Sequence, residues 1–447
     1  MKSEIFTVLH EDKTFQKYQV ISDFSWSDVH YFSPGVRPKS LTELVRLYKV
    51  NIFPKILKTD DSFIFFNVPK GINLDFDREM ECGYIYDDNI LLKCVFEEAF
   101  QNGALTIEND KLISKDEIIA NIINELSTRG MLSVCKNTGT NIVFVPVNKA
   151  LGFISDVEAN VSVNSHFFLM DPTDMASPYC QLGTPYGFSL ERGKVLTPPL
   201  NHRALLLVDK REKAKITHIE LKDLTFTLDE FEYIPGVNCE LFFRPDNEKT
   251  AKHKGCDVII TENKVVAVKE GGESIIPVAG FVLSLNESIK LNDNSVIYKG
   301  LEDYLFGAQV GPEMVVDSVM KESMDFPFFR EGVDTVLFAP TVYPLPYESA
   351  RAARICLGTD KDDKPVIIWA EGAGKLGIDK KCDSTGSSLL EMAQFCASLL
   401  FKNVINLDGG GSAQIIYKHK RHLKIADRLP VSNKECERPV PNGIKLL

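Results

Sequence analysis

The sequence predicts an α+β fold: a strand-rich, mixed-sheet body with a C-terminal β-α-β unit, preceded by a smaller N-terminal α+β domain. Three observations lead there. Short apolar runs bounded by turn residues recur through most of the chain, as in Asp257-Val258-Ile259-Ile260 and Phe281-Val282-Leu283-Ser284-Leu285. Helix-start signatures are few, at Ser114-Lys115-Asp116-Glu117 and Ser388-Leu389-Leu390-Glu391. In each, a side-chain oxygen serves an orphan amide and a glutamate reaches back to the cap. The C-terminal region then reads strand, helix, strand.

A chain of 447 residues exceeds one ordinary core, so it divides into domains. A polar stretch, Lys136 to Asn141, marks the expected boundary: an accessory unit of unknown role over 1–140 and a catalytic unit over 141–447. Hydrophobic residues make up 44% and charged residues 25%, a globular composition. The net charge of -11 argues against nucleic acid or an anionic membrane as partner. No apolar run is long enough to cross a bilayer. Met1 to Ile5 lacks a hydrophobic signal core, which sets the expectation of a cytoplasmic protein. Ten cysteines without a C-x-x-C pair read as reduced thiols rather than a disulfide framework or zinc site. His419 and His422, in a basic run, read as a solvated turn. No cofactor is expected, although Asp171-Pro172-Thr173-Asp174 leaves room for a structural divalent cation.

In order along the chain, Ser62 to Phe66 and Asn89 to Leu92 read as strands. The helix opened at Ser114 carries Ile118, Ile119, Ile122, Ile123 and Leu126 on one face and closes at Gly130. Beyond the boundary come strands at Ile142 to Val147, Val161 to Phe168 and Arg203 to Asp209, with Asn164 a polar residue ending an apolar run. Its side chain either faces a ligand or bonds a turn. The strand Val366 to Ala370 runs into Glu371. The helix after Ser388 places Leu389, Met392, Ala393, Cys396, Leu399 and Leu400 toward the core. Next comes the strand ending at Asp408.

Asn406-Leu407-Asp408-Gly409-Gly410-Gly411-Ser412 is the most informative stretch. A strand ends on a carboxylate, and three glycines carry the chain into the next strand. Consecutive glycines weaken a fold, so they make sense where backbone approaches a ligand or where amides converge on an anion. If the flanking strands are parallel in one sheet, Glu371 and Asp408 share a rim with the helix N-terminus at Ser388, the edge where ligands bind in open sheets. Two carboxylates there could serve glycosyl transfer to water. Arg351 and Arg354, just upstream, could clamp a phosphate. Gly372-Ala373-Gly374-Lys375-Leu376-Gly377 matches G-x-G-x-x-G, but no helix opens directly on it, as a dinucleotide site requires. Ser412 lacks the G-x-S-x-G elbow and a histidine partner.

These residues resemble the phosphodiester glycosidase domain family. Besides Asn406 to Ser412, the similar blocks are Val163 to Phe168, Gly183 to Gly193, Arg354 to Gly358, Gly386 to Ala393 and Glu437 to Asn442, in the family's order. The resemblance implies hydrolysis of a sugar-1-phosphodiester, either a small molecule or a glycan, at the anomeric carbon–oxygen bond. It implies that Asn164, Arg354, Glu371 and Asp408 line the site. Gly409, Gly410, Gly411, Ser412, His166 and Ser388 would contact substrate. Ser165-His166 stands where the family has a glycine pair, and Glu371 where it has an aspartate. The alternative is a non-catalytic phosphosugar- or carbohydrate-binding protein on the same fold.

Overall fold

The computed structural model describes residues 1–33, 154–169, 183–199, 203–321, 351–372, 384–427 and 440–447, apart from a few positions within them, with Tyr179, Glu435, Glu437 and Arg438 and with short pieces around 103–120, at 132–136 and at 142–146. The strands expected at Ser62 to Phe66 and Asn89 to Leu92, the cation loop Asp171 to Asp174, and Ala373 to Gly377 of the glycine motif lie outside the described residues. The helix after Ser114 is described only at Glu117 and Ala120.

The body is built around a seven-stranded sheet. Its members are β1 (Lys2–Leu9), β2 (Phe15–Ser22), β5 (Glu313–Val316), β6 (Val319–Met320), β7 (Arg354–Thr359), β8 (Pro365–Ala370) and β9 (Asn403–Asn406). Their order is β1-β2-β8-β7-β9-β5-β6. A four-stranded sheet, in the order β10-β4-β11-β3, combines β3 (Val29–Phe32), β4 (Val161–Asn164), β10 (Ile415–Tyr417) and β11 (Gly443–Leu446).

Alternation along the strands decides the layering. In β7 and β8, Ile355, Leu357, Ile367 and Trp369 turn inward and pack with Val161, Val163, Ile415, Ile444 and Leu446 of the second sheet. Cys356, Val366, Ile368 and Ala370 face the other way, against Leu389, Met392, Ala393 and Cys396 of helix α1 (Leu389–Ser398). Helix, sheet and sheet therefore form successive layers. A second core, with Phe188, Phe226, Phe281 and Tyr298, fills the strand-rich segment 188–301. The five-stranded sheet there puts Leu206 and Phe306 into the first core and Leu205 and Leu207 into the second.

Three expectations are corrected. Among the described residues every ladder between named strands is antiparallel, so the sheet is not mixed. β8 and β9 run the same way, each paired antiparallel with β7, which lies between them. The N-terminal segment is not separate from residue 1: β2 pairs with β8, and β3 with β11. Leu400, expected in the core, lies beyond the end of α1 at φ 60 and is exposed, because the helix stops at Ser398.

Trp26 shows how fully the first strands belong to the body. Its ring is buried against Phe306, and its Nε1 donates to the Asp363 carbonyl at 3.0 Å. Trp26→Ala should lower the unfolding free energy by about 3–5 kcal/mol, read from urea denaturation; a change near zero would contradict an integrated N-terminus.

Candidate active site

The site forms where β7 begins and β8 and β9 end. Arg354 is registered against Ala370, so Glu371 follows immediately on one side. On the other side Leu407 donates to the Ile355 carbonyl at 2.8 Å, and Gly410 donates to the Ala353 carbonyl at 2.8 Å. Backbone closeness explains the glycines. A Cβ at Gly409 would lie 2.7 Å from the Ala353 oxygen, and one at Gly372 would lie 2.4 Å from the Ala353 nitrogen. Gly386, at φ +77, crowds Ala352 in the same way. Three separate glycines thus hem in two residues at the start of β7.

The chain passes from the first sheet to the second through Gly409, Gly410 and Gly411, and Asn164 of β4 holds both ends of this turn. Its Nδ2 donates to the Asp408 carbonyl at 2.7 Å, and its Oδ1 accepts from the Gln414 amide at 3.1 Å. Asp408 itself donates its amide to the Ser165 carbonyl at 2.9 Å. Asn164 is therefore a clasp on the backbone of this turn.

Asp408 is buried, and burial pushes its carboxyl up to about 7. The Ser412 hydroxyl, the positive charge of Arg438 and the Gly409 amide pull it back down, while Asp427 adds to the rise. Arg354 is 4% exposed and runs past Gly409, its Cδ 3.6 Å from where that Cβ would stand. Its Nε donates to the Ser387 carbonyl at 3.1 Å. Burial lowers the guanidinium to about 10, so it keeps its charge at neutral pH.

Glu371 is also buried. Its Oε2 accepts from the Lys424 amide at 2.8 Å, and its Oε1 has no hydrogen-bond partner among the described residues. Leu423 and Ile425, beside Lys424, belong to the inner core, as Trp369 does, whereas Ala370 belongs to the helix side. Glu371 thus turns to the inner layer, away from the side that Ala370 shares with α1.

Three assignments change. His166 is buried with Nε2 2.8 Å from the Phe188 carbonyl and Nδ1 3.1 Å from Ser165 Oγ, and burial drives it down to about 4. Both nitrogens of this buried imidazole are thus engaged within the protein. Ser388 caps α1: its hydroxyl accepts from the Glu391 amide at 3.1 Å, and Glu391 Oε2 accepts from the Ser388 amide at 2.9 Å. Arg351 is held by Glu391 through Nε at 3.0 Å and Nη2 at 2.5 Å. Within the glycine turn the Gly410 amide is bonded to the Ala353 carbonyl, and the amides of Ser412 and Ala413 bond back to Gly409 and Gly410.

Sequence reasoning missed Asp427, Arg438 and Asn442 as site residues. Arg438 donates to Asp427 through Nε at 2.9 Å and Nη2 at 3.1 Å. Asn442 Oδ1 receives the Ser165 hydroxyl at 3.1 Å. Arg438 and Asn442 do fall in the Glu437 to Asn442 block; Asp427 had no local signal. Elsewhere, Ser284, Asp257 and His253 meet, but Asp257 stands between the other two, so the histidine cannot take the serine proton and no triad forms.

A buried carboxylate and a buried guanidinium thus stand on adjoining chain segments at one end of the sheet. Residues 231–447 match the model of the phosphodiester glycosidase family. The blocks at Arg354, Gly386 and Asn406 fall inside it; those at Asn164 and Gly183 precede it. No curated protein matches the chain. Among solved structures it is similar to a hypothetical protein from Synechocystis, at 14% identity over 70% of this chain and 61% of that one, TM-score 0.37. It is also similar to a protein from Burkholderia pseudomallei described as exported, at 14% identity over 100% of this chain and 96% of that one, TM-score 0.41. A third is the catalytic domain of zebrafish N-acetylglucosamine-1-phosphodiester alpha-N-acetylglucosaminidase auto-inhibited by its pro-peptide, at 12% identity over 70% of this chain and 81% of that one, TM-score 0.34. The chain spans only 61% of the Synechocystis protein's length. The expected cytoplasmic setting is corrected by these matches, one of which is described as exported. Among the described residues no helix is long and apolar enough to cross a membrane.

Two outcomes test the site. Asn164→Ala strands a carbonyl and an amide, and should cost about 1–3 kcal/mol in denaturant unfolding. Asp408 holds its proton more tightly folded than unfolded, so the stability tied to that proton is complete below the ordinary carboxylate range and is lost as pH rises through about 7. The melting temperature of Asp408→Asn minus that of the parent should therefore grow from pH 5 to pH 8; a flat difference would contradict a buried, proton-retaining Asp408.

Proposed function

We propose that the chain hydrolyses a sugar-1-phosphodiester at the anomeric carbon–oxygen bond, releasing a sugar and a phosphate monoester. One observation carries this reading: the turn that follows Asp408 passes along the buried Arg354 side chain, where β9 ends beside the start of β7, inside the segment that matches the phosphodiester glycosidase family. The substrate class is a phosphodiester of a small molecule or a glycan.

The chemistry divides between the two side chains. Arg354 stays cationic and desolvated, and a preorganised charge in a water-poor site stabilises an anion far better than one in bulk water. As the anomeric C–O bond breaks, its electron pair leaves with the phosphate, and Arg354 receives that charge. Phosphate is already a good leaving group, so less is asked of a general acid. Asp408 in its ionised form takes a proton from the attacking water, whose oxygen bonds to the anomeric carbon. A base that titrates near the working pH suits this task. Glu371 stands one strand beyond β7, at a backbone separation of about 10 Å from Asp408's strand. In this reading it anchors the Lys424 segment instead of attacking the sugar. Asn164 fixes the turn and Ser412 lies against the carboxylate.

A hydrolysis screen over sugar-1-phosphodiesters, with N-acetylglucosamine-1-phosphodiesters and nucleotide sugars included, tests the proposal. Turnover should rise with pH through about 7, because the base must be ionised. Asp408→Asn should lower kcat by about 100-fold or more, in keeping with loss of a general base, with substrate affinity retained. Binding of a phosphosugar without turnover in the parent chain would instead identify a carbohydrate-binding protein.

A further inference from the structure

We propose that Asp427 and Arg438 are positioning residues for Asp408: the pair braces the glycine turn from behind and sets how readily the Asp408 carboxyl gives up its proton. This rests on the reading of Asp408 as the proton-handling group. The geometry comes first. Asp427 and Arg438 form a two-point ion pair with both side chains about five-sixths buried, 16% and 15% exposed. Gly411 presses against them so closely that a Cβ there would overlap both Asp427 Oδ1 and Arg438 Nη2. The turn that begins at Asp408 therefore has this pair as its back wall, and any side chain at 411 would drive the two apart.

The location makes the charges matter. Asp408 is surrounded on its own turn by the Gly409 amide and the Ser412 hydroxyl. From β7 comes Arg354, committed through Nε to the Ser387 carbonyl. From the end of β4 come the Ser165 carbonyl and the neutral His166. Glu371 is tied to the Lys424 amide. Asp427 and Arg438 are the charged side chains that act on the Asp408 carboxyl, with opposite signs: Arg438 favours ionisation and Asp427 opposes it. Burial raises the carboxyl, and a pair whose members pull in opposite directions, in a buried setting where salt screens little, trims that rise from both sides. Either partner alone would drive it to one side.

The decisive test is direct titration of Asp408 by carbon-13 NMR of carboxyl-labelled aspartate, with the signal assigned by its loss in Asp408→Asn. Arg438→Gln should move the midpoint up, and Asp427→Asn should move it down, each by about one pH unit, the scale of a charge partner at short range. Arg438→Lys, which keeps the charge, should leave it within a few tenths of the parent. A bracing role alone would not produce shifts of opposite sign. Shifts in the same direction, no shift in either variant, or a lysine variant that behaves like the glutamine one would overturn the proposal. If Arg438→Gln fails to fold, the Asp427→Asn and Arg438→Lys arms still decide it. The titration needs no substrate, so its outcome is separate from that of the hydrolysis screen.

Discussion

The carbonyl and amide of Ala353, at the start of β7, are the point on which the candidate site depends. Gly372 from the end of β8, Gly386 before α1 and Gly409 after β9 all approach the backbone of Ala352 and Ala353 at distances that no side chain would permit. Close approach is the physical reason to pay for the backbone entropy of glycine at those positions. It brings three chain segments, distant in sequence, to the flanks of Arg354. The hydrogen bond from Gly410 to the Ala353 carbonyl then fixes where the turn leaves the sheet.

Around that point the protein accepts two costly burials. Desolvation acts on Arg354 and Asp408 in opposite senses of charge, lowering the guanidinium to about 10 and raising the carboxyl to about 7. Each group is kept in place by backbone bonds rather than by a simple ion pair with the other. The Ser387 carbonyl holds Arg354, and Asn164 and the Ser165 carbonyl hold the backbone of Asp408.

Local signals in the sequence were reliable, and pairing was not. The capping box at Ser388 and Glu391 forms as read, because both halves of the device lie within one helical turn. The inward positions Leu389, Met392, Ala393 and Cys396 are buried, since helix periodicity is itself local. Leu400 failed because apolar spacing does not announce where a helix stops. The antiparallel β7 between β8 and β9 was invisible for a related reason: a strand's neighbours depend on contacts across the chain, and nothing near residues 365–406 encodes which strand will lie between. Asp427 belongs with these. It matters through Gly411 and Arg438, and neither adjoins it in sequence.

The pairing of β2 with β8 and of β3 with β11 joins the beginning of the polypeptide to its last few residues. The Tyr417 hydroxyl even reaches the Met1 carbonyl at 3.4 Å. Closure over so great a separation is entropically slow. The strands before residue 33 complete their pairing only when residues 365–370 and 443–446 are in place. The second core, made from residues 188–301, needs neither terminus and can condense earlier. The layer that carries Arg354 and Asp408, held by ladders between residues far apart in sequence, would then assemble after that core.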